Sequence, residues 1–99
     1  MVRRFNKQPS ETYTIAVDFV GALPVGETPF SGTVSARKYE TGVTDNTVLS
    51  STTATISGTQ ARIRVLGGTS GLVYRITFLV TLTNNDLLEE DVDMFVLSE

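Results

Sequence analysis

Apolar and polar residues alternate with a period of two along most of this chain. Tyr13, Ile15, Val17 and Phe19 fall on one face of an extended segment, with Thr12, Thr14, Ala16 and Asp18 on the other. Val34 and Ala36 alternate with Thr33, Ser35 and Arg37, and Ala61, Ile63 and Val65 alternate with Gln60, Arg62 and Arg64. The longest stripe is Tyr74, Ile76, Phe78, Val80 and Leu82. A final one runs through Val92, Met94 and Val96. This is the spacing of side chains that point alternately to the two faces of a strand. No window repeats apolar residues at the 3, 4 and 7 spacing of a capped helix. The abundant Val and Thr are β-branched, which suits a pleated surface better than a helix.

Turn-forming residues separate these stripes. Gly21, Pro24, Gly26 and Pro29 follow the first; Gly42, Asp45 and Asn46 mark the next break; Ser57-Gly58-Thr59 makes a short connection; Gly67, Gly68 and Gly71 precede the longest stripe and Asn84-Asn85-Asp86 follows it. Glycine enters the left-handed backbone region without steric cost, and Asn and Asp tolerate it. About seven short strands at this spacing predict an all-β fold, a single antiparallel β-sandwich. Tyr74 opens the longest strand directly after a glycine-rich corner. Immunoglobulin-like folds place there a Tyr whose hydroxyl bonds to upstream backbone, so a bond near residues 68–70 is expected, with Gly67, Gly68, Gly71 and Tyr74 forming a structural corner. Residues 11–99 read as the immunoglobulin-like domain and residues 1–10 as a flexible N-terminal arm.

Composition narrows the chemistry. With 99 residues the chain has room for one domain. It contains no Cys, His or Trp, which removes disulfides, thiolate nucleophiles, Cys/His zinc sites and imidazole catalysis, and also the Cys pair and Trp of antibody-type domains. Eight Lys and Arg against eleven Asp and Glu give a net charge of −3, which argues against nucleic acid as a partner. No run of apolar residues is long enough to cross a membrane, and the basic start has no apolar segment behind it, so no signal peptide is expected. Gly67-Gly68-Thr69-Ser70-Gly71 lacks both the Lys-Ser/Thr pair and the following helix of a phosphate loop. Glu89, Glu90, Asp91 and Asp93 do not have the spacing of a calcium loop. Glu11 and Asp18, seven residues apart on an alternating strand, face opposite ways. No nucleophile can be paired with a base. The reading is a non-enzyme without cofactor or metal.

Two features point to contact with other molecules. Arg3, Arg4 and Lys7 crowd the start, whereas Asp86, Glu89, Glu90, Asp91, Asp93 and Glu99 crowd the end. These are either two solvated ends or surfaces that attract each other between neighbouring copies. In the last strand, Phe95 and Leu97 make the second face apolar as well. A sandwich strand ordinarily buries one face, so something covers the other: either the arm, through Val2 and Phe5, or a second subunit.

The stretch from Leu66 to Leu97 resembles a family of small tailed-phage proteins described as fiber–tail adaptor or virion structural proteins. The resemblance rests on Gly67-Gly68-Thr69-Ser70-Gly71-Leu72-Val73-Tyr74, on Thr77 and Thr81 in the strand that follows, on Phe95 and Leu97 in the final strand, and more loosely on Pro9-Ser10-Glu11-Thr12-Tyr13. It implies a virion structural protein, made in the bacterial host cytoplasm, that acts as a tail or neck adaptor by docking other virion proteins. A homo-oligomer in the assembled particle is one arrangement it allows. Arg3, Arg4 and Phe5 are then the expected arm contacts, and Phe95 and Leu97 the expected docking face. The alternative is an immunoglobulin-like binding module for a glycan or host-surface ligand, with the loop residue Tyr39 as its aromatic platform.

Overall fold

The computed structural model describes residues 3–97, Arg3 by its backbone alone. Seven strands and two short 3₁₀ turns make up the described chain: β1 (Arg3–Lys7), β2 (Tyr13–Asp18), β3 (Pro29–Lys38), β4 (Thr55–Ser57), β5 (Gln60–Val65), β6 (Val73–Leu82) and β7 (Leu87–Val96). They form a four-stranded sheet in the order β1-β7-β6-β3 and a three-stranded sheet in the order β2-β5-β4. The period-two stripes explain both. Val34 and Ala36 of β3, the even positions from Tyr74 to Leu82 of β6, and Val92, Met94 and Val96 of β7 are buried on the inner face of the larger sheet. Val17 of β2 and Ala61, Ile63 and Val65 of β5 face them from the smaller one. The result is an all-β sandwich.

Turn chemistry falls where the residues allow it. The β4–β5 hairpin turns through Gly58 at φ +60°, and the β6–β7 hairpin through Asn85 at φ +72°. Asp45 caps the second 3₁₀ turn, its carboxylate accepting from the Thr47 amide. Between β3 and β4 the chain serves both sheets in turn. The Ser50 amide donates to Arg64 of β5; the Val34 amide of β3 then donates to Thr52, and the Ala54 amide to Gly32. This segment closes the sandwich along the β3 side and contributes Val48, Leu49 and Ala54 to the core.

The start of the chain departs from expectation. Arg3–Lys7 is no free arm but a strand, and it runs parallel to β7, with Phe5 opposite Met94 and Lys7 opposite Val96. An otherwise antiparallel sandwich thus has one parallel pair. Lys7 is accommodated within this arrangement. Its side chain is only 1 % exposed, and its ammonium donates to the carbonyls of Gln8 at 2.8 Å, Pro9 at 3.3 Å and Gly67 at 2.6 Å. A buried charge is costly unless such partners surround it, and here backbone oxygens supply them. Burial pushes the Lys7 pKa below its usual 10.5, opposed by the carboxylate of Glu11. One basic residue at the start therefore serves the interior.

Candidate functional site

Strand register assembles a charged row on the outer face of the four-stranded sheet. Odd residues of β3, β6 and β7 point outward there, and the pairing sets Arg37 opposite Arg75, Arg75 opposite Asp93, and Asp93 opposite Arg4 of β1. Arg75 grips Asp93 with two bonds, Nε to Oδ1 at 2.9 Å and a terminal nitrogen to Oδ2 at 3.2 Å. Both side chains are mostly covered, at 24 % and 14 % exposure. Such a forked, charge-assisted pair fixes both groups in orientation. Its hydrogen bond to Asp93 raises the Arg75 pKa above an already high value, so this cation is permanent. In the next row, the Thr77 hydroxyl donates to Asp91 at 2.8 Å.

Two aromatic rings from the neighbouring row stack on cations of this one. The guanidinium of Arg75 lies 4.7 Å from the centre of the Tyr39 ring, and that of Arg4 lies 5.5 Å from the centre of Phe95. These are cation–π distances. Tyr39 is held by its amide, which donates to the Val73 carbonyl at 2.8 Å. Val73 in turn pairs with Phe95 across β6 and β7. One exposed surface thus carries Tyr39, Arg75, Asp93, Arg4 and Phe95, with Leu97, 46 % exposed, just beyond.

The structure sorts the residues singled out in the sequence. Arg4, Phe95 and Leu97 lie on this outer face. Phe5 does not: its strand position turns it inward, where it is half-buried and meets Tyr13 edge to face at 6.0 Å. The Arg3 side chain, like Val2 and Glu99, lies outside the described residues. Tyr13 donates its hydroxyl to the Asn6 carbonyl at 3.0 Å, tying β2 to β1, and burial raises its pKa with help from Glu11. Leu97 is anchored by its amide, which donates to the Lys7 carbonyl at 2.9 Å.

The glycine corner sits behind this face. The Thr69 amide donates to the Tyr74 hydroxyl at 3.0 Å, so the bond expected at residues 68–70 is present with the Tyr oxygen as acceptor. Gly71 donates to Val96 at 2.8 Å, and Gly67 accepts from Lys7. Gly67, Gly68 and Gly71 all have positive φ. The corner thereby ties β1, β6 and β7 together.

Sequence reasoning passed over Arg75, Arg37 and the second role of Tyr39. Each reads as an ordinary solvated residue until the register of β3, β6 and β7 brings them side by side. The Asp93 carboxylate, counted with the acidic end of the chain, proves to be the partner of Arg75. Asp91 is likewise engaged by Thr77. Among the described residues no group of three or more acidic side chains converges on a metal position, and no helix is long and apolar enough to cross a membrane.

A concavity lies elsewhere, a groove of about 410 Å³ on the outer face of the three-stranded sheet. Its walls are Arg62 and Arg64 and the hydroxyl side chains of Thr14, Ser51 and Thr55, over Ile63. It brings cations and hydroxyls together without a carboxylate to act as base.

No curated protein matches the chain. A family model does, over residues 7–95, a span that takes in every strand but most of β1, the glycine corner and the charged row save Arg4. The family is described as podophage GP4 fiber-tail adaptor protein gp77, and this chain belongs to it.

Proposed function

We propose that this chain is a non-enzymatic subunit of a phage virion that joins fibre to tail, and that it docks another virion protein through the outer face of its four-stranded sheet. The observation that carries this reading is the row of Arg75, Asp93 and Arg4, with Tyr39 stacked on Arg75 and Phe95 on Arg4. Interface residues that dominate binding are enriched in Tyr, Trp and Arg. Here the Arg75 fork is held by Asp93 before any partner arrives, so little side-chain entropy is lost on binding. Leu97 and Phe95 add apolar area beside the charges, as a docking surface with a polar rim requires. Family membership supports the role and the virion as its place.

The test is incorporation into particles. Phe95→Asp together with Arg4→Glu leaves the inner face intact, so circular dichroism and the unfolding midpoint stay near those of the parent. Loading onto particles assembled without the chain is expected to fall at least about tenfold, the loss that corresponds to roughly 1.4 kcal/mol. Parent-level loading by this folded variant would overturn the assigned face.

A further inference from the structure

Between Ser50 and Thr55 the chain swings away from β5. Ser50 still bonds to Arg64, and Thr55 pairs with Arg62, but the residues between them bond to β3 instead. The edge of β5 beside Ile63 is left uncovered, and this is why the groove of about 410 Å³ exists. Arg62 is held in place by Gln60, whose side-chain oxygen accepts from Nε at 3.2 Å and a terminal nitrogen at 2.9 Å. Arg64 is exposed and has no ion pair among the described residues. The notch therefore offers two positive charges, that of Arg62 held in place, beside several hydroxyls.

The complement of this notch is the tip of the β6–β7 hairpin. Asn84, Asn85 and Asp86 shape a tight turn, with the Asp86 amide accepted by the Asn84 side chain at 2.9 Å. Just beyond it Leu87 is 60 % exposed. Glu89 points outward, and neither Glu89 nor Glu90 has an ion pair among the described residues. One projecting element thus presents an apolar side chain between carboxylates. It belongs to the four-stranded sheet, and the notch opens on the outer face of the other, so no copy fills its own notch.

We infer that the notch receives the β6–β7 hairpin of a second copy of this chain. The carboxylates of Asp86 and Glu89 meet Arg62 and Arg64, and Leu87 lies against the uncovered backbone edge of β5 at Ile63. Because donor and acceptor surfaces differ, the contact is heterologous and repeats from copy to copy, closing into a ring or extending as a filament. The inference does not depend on the docking face assigned above, which lies at the other end of the four-stranded sheet.

The chain has no cysteine, so introduced thiols report the contact cleanly. Single variants Ser51→Cys and Leu87→Cys, both at exposed positions, are mixed at millimolar concentration under a glutathione redox buffer. The mixed disulfide dimer is expected at least about tenfold faster than from Ser35→Cys with Leu87→Cys, a control pair on the wrong face. Adding Arg64→Glu to the first partner should abolish that advantage, and adding Glu89→Arg to the second should restore it. Trapping no faster than the control, or no response to Arg64→Glu, overturns the inference. So does hexaglutamate shifting the NMR signals of Arg62 and Arg64 when no cross-link forms, which would assign the notch to a different acidic partner.

Discussion

Gly68 and Gly71 share a positive φ, yet their surroundings differ. A Cβ on Gly71 would meet open space, whereas one on Gly68 would lie 2.8 Å from Val96 Cγ2. Gly71→Ala thus carries only the backbone cost of a left-handed residue, about 1 kcal/mol. Gly68→Ala adds overpacking against a fully buried Val, and the sum is expected near 3 kcal/mol. Urea unfolding of the two variants should separate them by about that difference. Asp45 offers a second check at this scale. The Thr47 hydroxyl, with the Thr47 amide and Lys38 behind it, holds its carboxyl below the usual 3.8 against a smaller penalty from burial. A depressed folded-state value means that the stabilisation is complete above pH 3.8 and is lost as pH falls through the lowered pKa. The NMR titration midpoint of Asp45 should therefore lie below 3.8 and rise toward it in Thr47→Val.

At the scale of elements, β1 is the strand to whose attachment a buried lysine contributes. Lys7→Met keeps the bulk but strips the donor from three carbonyls, each costing on the order of 1 kcal/mol if left bare. The variant is expected to loosen β1 from β7. Hydrogen exchange at the Leu97 amide, which bonds to the Lys7 carbonyl, should speed up while the Phe78 amide in mid-sheet stays protected. The same residue shows what a sequence conceals. The stripes of β2, β3, β5, β6 and β7 are legible because their buried positions are apolar. In Arg3–Lys7 an inward position is a lysine, so the pattern reads as solvated chain, and the carbonyls that accept its hydrogen bonds include that of Gly67, sixty residues away. A parallel partner at the far end of the chain leaves no local trace either. Phe95 and Leu97 were legible as a second apolar face, but their neighbours Arg75 and Tyr39 were not. Alternation says which way a side chain points; only register says what stands beside it.

At the scale of the whole molecule, the sandwich separates two kinds of surface. Its described body is elongated, 44 × 24 × 22 Å, and its two outer faces point in opposite directions. One bears the charged row with Tyr39 and Phe95 stacked on it, the other the cationic notch around Arg62 and Arg64. The two contacts proposed above use different residues and would not compete, as an intermediate piece between fibre and tail requires. The parallel pairing of β1 with β7 adds one more property. Tension applied to Arg3 and Leu97 in opposite directions would slide the two strands past each other lengthwise. In that geometry the rungs of the ladder share the load and must rupture together, instead of opening one after another like a zipper. A part that transmits the pull of an attached fibre would gain toughness from that arrangement alone.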